Sequence, residues 1–235
     1  MFQQDVRAIL CARGGYGSSR LIPLLEGNFL RKPEIIFIGC SDLTSLLLYF
    51  SRLAIPVFHG PMVSHFSRSE DALTNRFLLD MLISAKPFGS FEIPEIQVLR
   101  EGRAEGRLTG GCLSLLCSSL GTSYEVETEG KVLFFEEVNE APYRIDRMLT
   151  QLKQAGKLEK VKGILIGELL NCGPPAGSEY SLKEILAESL GGLSCPVLSG
   201  LPFGHGKQNM TLPFDVLVRL DSSSGTLTFL ESPVL

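Results

Sequence analysis

IIFIGCSDLTSLLLYFSRL, residues 35–53, joins a short apolar run to a leucine-rich segment through the turn Gly-Cys-Ser-Asp. The run has the length of a buried strand and the leucines recur at helical spacing, so a strand, a tight turn and a helix are predicted. Residues 6–25 have the same order, with a glycine loop at residues 13–17, and another strand is predicted at residues 55–58. Strands that alternate with helices predict a parallel sheet that binds ligands beyond the carboxyl ends of its strands.

The second half of the chain combines several patterns. Apolar strands are predicted at residues 131–135 and 161–166, with an amphipathic helix at residues 144–154 between them. The alternating apolar and polar residues at 216–220 are typical of an edge strand. This half is therefore predicted to be a mixed α/β domain.

Together the patterns predict an α/β protein of two domains. Residues 1–85 form the parallel-sheet domain and residues 107–235 form the mixed one. Residues 86–106, which combine prolines, glycines and charges, are interpreted as a linker. Because the first predicted strand begins only a few residues after Met1, we expect the parallel-sheet domain to be truncated at its amino terminus.

The composition excludes several classes of function. The 235 residues include 22 Lys and Arg against 26 Asp and Glu, and a net charge of −4 offers no general attraction to nucleic acid or anionic membranes. No apolar run reaches the roughly 18 residues that cross a bilayer, and the first residues lack the pattern of a signal peptide. The six cysteines form no C-x-x-C pair, so we expect no metal site and a reducing, cytoplasmic location.

Ser41 is a candidate nucleophile because it lies on the predicted turn between strand and helix. Such an elbow exposes the hydroxyl at the positive end of the helix dipole, beside backbone N–H groups that can bind an oxyanion. The second glycine of the G-x-S-x-G motif is replaced by Leu43, however. The alternative is that Ser41 only caps the helix, since serine is favoured at that position.

A serine nucleophile needs a base and an acid that orients the base. The chain has three histidines; His205 and His59 follow predicted strands in glycine-containing turns, whereas His65 lies in a polar stretch and is the weakest candidate. The acid is predicted at Glu136 or Glu137, which end an apolar strand. Adjacent strand residues face opposite ways, so at most one of the two acids points into a given site. The alternative for both is a solvated charge at a strand end.

The glycine loop at residues 13–17 is a candidate binding loop. It lacks the Lys-Ser/Thr of a Walker loop, and the dinucleotide fingerprint that would begin at Gly15 is interrupted by Arg20. We interpret its backbone N–H groups as donors to an oxyanion or a substrate carboxylate. A plain glycine turn is the alternative.

Taken in order, these motifs resemble the LD-carboxypeptidase family of serine peptidases, which also contains the microcin C self-immunity peptidases. The similarity covers nearly the whole chain. Its landmarks are ARGGYG at 12–17, IGCSD at 38–42, HGP at 59–61, TGG at 109–111, LFFEEV at 133–138, PYRIDR at 142–147 and LPFGHG at 201–206.

The resemblance implies a catalytic triad in which Ser41 is the nucleophile, Glu136 the orienting acid and His205 the base. The implied reaction is hydrolysis of an L,D amide bond that releases terminal D-alanine from cytoplasmic murein tetrapeptide during wall recycling. It requires no metal or cofactor, and family members pair as homodimers. The domain that supplies the serine is then the nucleophile domain, and the second domain supplies the acid and the base.

The resemblance also suggests how substrate is held. The oxyanion would bind the backbone N–H of Asp42 and one N–H of the glycine loop, at Gly14 or Gly15. The free carboxylate that an exopeptidase must recognise suits the guanidinium of Arg13, which can donate two parallel hydrogen bonds. A structural salt bridge is the alternative role for Arg13.

Three positions depart from the family pattern: Cys40 replaces an aromatic residue, Cys112 replaces asparagine and Glu137 replaces aspartate. Cys40 concerns substrate preference more than catalysis, because the side chains of the implied triad remain. A second hypothesis is therefore an immunity-type hydrolase of aminoacyl-nucleotide conjugates, although the absence of tryptophan disfavours stacking of a base. A third is an inactive, truncated protein that binds muropeptide.

Overall fold

A computed structural model describes residues 6–25, 35–66, 72–93, 95–174 and 181–234. It contains two sheets, which confirms the predicted α/β class. The outermost residues of the two predicted domains, 1–5 and 235, lie outside the described residues. In the described part of the chain, no helix has the length and apolarity needed to span a bilayer.

The smaller sheet has four strands in the order β1-β2-β3-β10. Its strands are β1 (Ala8–Leu10), β2 (Ile36–Gly39), β3 (Val57–His59) and β10 (Leu212–Pro213). The first three are parallel, as the strand and helix pattern predicts, whereas β10 runs antiparallel to β3. The accompanying helices are α1 (Ile22–Leu25), α2 (Thr44–Arg52), α3 (Val63–Phe66) and α4 (Ala72–Ile83).

The larger sheet has eight strands in the order β4-β12-β11-β6-β7-β8-β9-β5. Its strands are β4 (Gly89–Glu92), β5 (Gln97–Arg100), β6 (Arg103–Cys112), β7 (Lys131–Val138), β8 (Gly163–Leu170), β9 (Val197–Ser199), β11 (Leu217–Asp221) and β12 (Thr226–Phe229). Strands β6 to β9 form a parallel centre, and each strand outside it pairs antiparallel with its neighbours. The accompanying helices are α5 (Leu113–Ser119), α6 (Pro142–Gln154) and α7 (Leu182–Leu190).

The two sheets meet where their parallel strands end. The backbone N–H of Cys112, at the end of β6, donates to Thr44 Oγ1 at the start of α2 over 3.1 Å. Within the smaller sheet, the N–H of Phe214, just after β10, donates to the carbonyl of Val57 over 3.0 Å, which joins the second half of the chain to β3. Because the interior of β7 from Val132 to Phe135 is fully buried, a polar side chain at the end of that strand enters a dry region.

Two predictions about the larger sheet are wrong. Residues 86–106 do not link two domains, because β4, β5 and the start of β6 lie there and belong to the larger sheet. The segment at 216–220 is not an edge strand, because β11 lies between β6 and β12. In both cases the residues pair with strands that are distant in the sequence, and a local pattern does not reveal such partners.

Candidate active site

Ser41 lies directly beyond the carboxyl end of β2, on the elbow that the sequence predicts. It has φ of +61°, in the left-handed region, and begins a short 3-10 helix that leads into α2. Its Oγ makes no hydrogen bond within the described part of the chain, and no side chain caps this helix. Ser41 is therefore not a capping residue here, and its hydroxyl is available to a substrate.

The glycine loop is fastened against this elbow by the side chain of Asp42. The carboxylate accepts hydrogen bonds from the N–H of Ser18 over 2.8 Å and of Gly17 over 3.3 Å. The hydroxyl of Ser18 also donates to the carbonyl of Asp42. Gly14 lies so close that a Cβ there would be 3.0 Å from Ser41 Cβ and 3.2 Å from its Oγ. The loop backbone therefore lies beside the Ser41 hydroxyl.

Glu136 and His205 form a buried contact near the carboxyl end of β7, a central strand of the larger sheet. Glu136 lies near the end of β7 and is 0% exposed, whereas the His205 side chain, on the loop between β9 and β10, is 20% exposed. His205 Nδ1 and Glu136 Oε2 are 2.6 Å apart. With Nδ1–H donating to the carboxylate, Nε2 is the nitrogen that can accept a proton.

The charges of this pair depend on burial. Burial raises the pKa of Glu136, against the opposing effect of His205. Burial alone would lower the pKa of His205, but the hydrogen bond and charge of Glu136, with the charges of Glu137 and Glu168, outweigh it and raise that pKa. The carboxylate thus makes the imidazole a stronger base than the dry surroundings alone would allow.

Glu137 has a different environment from Glu136, as alternation along a strand requires. Its carboxylate accepts hydrogen bonds from the N–H of Ser114 over 2.8 Å and of Val138 over 2.9 Å. Ser114 lies in the first turn of α5, where a negative charge is favoured by the helix dipole. Glu136 and Glu137 are 0% and 3% exposed, so neither is the solvated strand-end charge offered as the alternative.

The other two histidines are held differently. His59 is fully buried against the rings of Phe134 and Phe203, and neither ring nitrogen has a hydrogen-bond partner among the described residues. Burial lowers the pKa of His59 to about 3, so it stays neutral. His65 Nδ1 accepts a hydrogen bond from the N–H of Met62 over 3.0 Å, and His65 lines the cleft described next.

Ser41 and His205 line one open cleft of about 1290 Å³. Gly14, Gly15 and Arg13 line the same cleft, so the structure brings these predicted site residues together. No hydrogen bond joins Ser41 to His205 within the described residues. The Nε of Arg13 donates to its neighbour Gly14 over 3.4 Å, and Arg13 makes no ion pair with any described residue. Its guanidinium is therefore exposed at the cleft.

Two residues of the site were missed by the sequence analysis. Glu168 lines the cleft and accepts a hydrogen bond from the N–H of Gly206, next to His205. It follows the apolar run of β8 much as Glu136 follows the apolar run of β7, and this parallel is the signal that could have identified it. Asn209 Nδ2 lies 3.9 Å from Cys40 Sγ, behind the elbow. No local pattern distinguishes Asn209.

The fold and the cleft define a class of enzyme that comparison with known proteins identifies. The model of the LD-carboxypeptidase N-terminal domain matches residues 1–60, and that of the LD-carboxypeptidase C-terminal domain matches residues 105–220. The chain therefore belongs to the LD-carboxypeptidase family. It is a serine-type LD-carboxypeptidase, a hydrolase, and the resemblance noted in the sequence is confirmed.

Relatives and solved structures agree with this assignment. The chain is 36% identical over 231 residues to a probable murein peptide carboxypeptidase of Bacillus subtilis, covering 96% of this chain and 72% of that protein. It is 27% identical over 263 residues to the microcin C7 self-immunity protein MccF of Escherichia coli, with coverages of 98% and 76%. The crystal structure of muramoyltetrapeptide carboxypeptidase from Oxalobacter formigenes superposes with a TM-score of 0.86 at 32% identity, with coverages of 96% and 77%.

Proposed function

We propose that this enzyme releases terminal D-alanine from murein tetrapeptide with a triad of Ser41, Glu136 and His205. The main support is the 2.6 Å contact between His205 Nδ1 and Glu136 Oε2 on the same cleft as the unbonded Ser41 hydroxyl. The substrate class follows the names of the murein peptide and muramoyltetrapeptide carboxypeptidases that the chain resembles.

The first half of the reaction is acylation of Ser41. His205 Nε2 accepts the hydroxyl proton while Ser41 Oγ attacks the carbonyl carbon of the L,D amide bond. Glu136 stabilises the imidazolium that forms, because its carboxylate accepts the Nδ1–H. The C–N bond then breaks, His205 gives its proton to the leaving nitrogen, and D-alanine departs.

The second half regenerates the enzyme. A water molecule loses a proton to His205 and attacks the ester carbonyl on Ser41. The bond between the acyl carbon and Ser41 Oγ then breaks, His205 returns the proton to Oγ, and the shortened peptide leaves with a new carboxylate. The left-handed backbone at Ser41 suits this role, since strained residues persist where a fixed geometry serves function.

Backbone donors and one arginine hold the substrate in this scheme. The developing oxyanion is stabilised by the N–H of Asp42 and by an N–H of the glycine loop, at Gly14 or Gly15. The proximity of Gly14 to Ser41 Oγ supports this assignment. Arg13, exposed at the cleft and without an ion pair among the described residues, binds the free carboxylate of the substrate.

A synthetic tetrapeptide ending in D-alanine tests the proposal. We expect the enzyme to release D-alanine and Ser41→Ala to lose at least about a thousandfold in kcat, as other serine hydrolases do without the nucleophile. Ser118→Ala, at an exposed serine of α5, is the matched control and should retain full activity. If Ser41→Ala still released D-alanine, the nucleophile would be another group. If the enzyme bound the tetrapeptide without cleaving it, it would be a muropeptide-binding protein.

Cleavage of aminoacyl-nucleotide conjugates is the second candidate, favoured by the 27% identity to MccF. The absence of tryptophan from the sequence weighs against a stacking platform for the base. Incubation with an aminoacyl sulfamoyl adenosine, in parallel with the tetrapeptide, separates the two candidates by which substrate has the higher kcat/KM.

The setting proposed for this activity is wall recycling in the cytoplasm by a homodimer. The net charge of −4 agrees with a protein that binds neither nucleic acid nor a membrane surface. Light scattering after size-exclusion chromatography tests the dimer, for which a mass near twice 25.7 kDa is expected. A mass of one chain at the assay concentration would contradict it.

A further inference from the structure

Glu168 binds the backbone on both sides of His205. Its carboxylate accepts a hydrogen bond from the N–H of Gly206 over 2.5 Å, and its own N–H donates to the carbonyl of Phe203 over 2.9 Å. Residues 203–206 are therefore fastened to the end of β8 two residues before and one residue after the histidine. No other described residue makes hydrogen bonds to both of these positions.

The loop is shaped to let this carboxylate approach. A Cβ added at Gly206 would overlap both carboxylate oxygens of Glu168, so only glycine allows the contact. On the other side, a Cβ at Gly204 would lie 3.2 Å from Glu136 Oε2 and 3.4 Å from Glu168 Cβ. The loop thus lies between the acid that contacts His205 and a second acid that contacts its backbone.

Glu168 also contributes charge. The carboxylates whose charges act on His205 are Glu136, Glu137 on the other face of β7, and Glu168 from β8, and His59 from β3 is the nearby histidine. The three carboxylates raise the pKa of His205 against the effect of burial, and His59 is neutral. Burial raises the pKa of Glu168, whereas the hydrogen bond from the N–H of Gly206 and the charge of His205 lower it. Unlike Glu136, Glu168 is only partly buried and lines the cleft, so its carboxylate contributes negative charge near the imidazole.

We propose that Glu168 is a positioning residue, which holds the loop of His205 in place and stabilises the imidazolium that forms when Ser41 is deprotonated. The inference rests on the proposed function, because it takes His205 to be the base. Two properties are separable: the hydrogen bond to Gly206 fixes where the ring lies, and the charge fixes how readily the ring accepts a proton.

Two conservative variants separate these properties. Glu168→Gln keeps an oxygen that can accept from Gly206 but loses the charge, so the pKa of His205 should fall, and kcat at the optimum should stay within about threefold. Glu168→Asp keeps the charge but is one methylene too short for the contact. Its kcat should fall by about tenfold with KM unchanged, because the base is misplaced.

The pKa is read from NMR titration of labelled histidines in the free enzyme, with the His205 signal assigned from a His205→Gln variant. Glu188→Gln, which removes an exposed charge from α7, is the control for net charge and should leave the pKa of His205 unchanged. A His205 pKa unaltered in Glu168→Gln would refute the role of the charge, and a normal kcat in Glu168→Asp would refute the positioning. If His205→Gln stayed active, the proposed function would fail instead, and the NMR shift would still report on Glu168.

Discussion

The two sheets position their reactive groups at the cleft by different means. The smaller sheet places Ser41 through backbone geometry, with a left-handed residue and a loop fastened by Asp42. The larger sheet places His205 through buried charge, with Glu136 at 0% exposure against the ring. In the proposed mechanism, the smaller sheet determines where the nucleophile lies, and the larger sheet determines when it can be deprotonated.

This difference predicts two kinds of variant. Changes beside Ser41 should lower the rate equally at every pH, because they move atoms without altering an ionisable group. Changes around His205 should alter both the rate and its pH dependence. For the unaltered enzyme, kcat/KM should rise with pH through the pKa of His205, which lies above the ordinary histidine value of 6.5, because only the neutral ring accepts a proton.

The largest effect is expected from Glu136→Gln. The amide cannot stabilise the imidazolium, so kcat should fall by about a thousandfold or more, as in other triads that lose their acid. Without the neighbouring charge, burial should move the acid limb of kcat/KM to lower pH. The measurement is a pH profile of kcat/KM between pH 5 and 9.

Glu137→Gln is the matched control for this substitution. Its carboxylate binds the first turn of α5, so the variant should lose stability while kcat stays within a few-fold. Similar losses of kcat in the two variants would show that the adjacent acids share one role, contrary to the separate contacts that they make.

Gly14→Ala should have the next largest effect. The added methyl group would lie 3.0 Å from Ser41 Cβ, tighter than an ordinary contact, so the loop or the serine must move. A displacement of this kind costs up to about a hundredfold in kcat. Because no charge changes, the pH profile should keep its shape. Gly192→Ala is the control, because an added Cβ there meets no atom within 4 Å. A shift of the acid limb of the pH profile in Gly14→Ala would contradict the distinction between the two sheets.

Arg13→Ala is expected to act on binding alone. Loss of a charged partner for the substrate carboxylate should raise KM by about tenfold with kcat nearly unchanged. Arg20→Ala removes an exposed guanidinium from the same region and should alter neither constant. A fall in kcat without a change in KM would assign Arg13 to the chemistry instead.

The part of the site on the smaller sheet, where backbone geometry positions Ser41, could be predicted well from the sequence. Strand, turn and helix around Ser41 lie within residues 35–53, so their pattern is local and the elbow follows from it. The choice between nucleophile and cap could not be made, because it depends on the φ of one residue and on the direction of one hydroxyl.

The part of the site on the larger sheet, where buried charge surrounds His205, could be predicted only in part. Alternation correctly places Glu136 and Glu137 on opposite faces, but both are buried because strands from far along the chain flank β7. For the same reason the sequence pattern wrongly predicts that β11 is an edge strand, and it does not indicate that Glu168 lies at the site. Burial of a charge is a property of the assembled sheet, and a sequence pattern shows only one strand at a time.

The smallest effect is expected at His59, which lies on the smaller sheet but is held by the dry interior. Its pKa is lowered to about 3 by burial, so between pH 6.5 and 3 the unfolded chain binds a proton that the folded chain does not. The free energy of unfolding should therefore fall with decreasing pH, by up to about 1.4 kcal/mol per pH unit from this residue. His59→Phe, which suits the neighbouring Phe134 and Phe203, should flatten that slope in urea unfolding between pH 8 and 5. An equal slope in His59→Phe and the unaltered enzyme would mean that His59 titrates normally in the folded state.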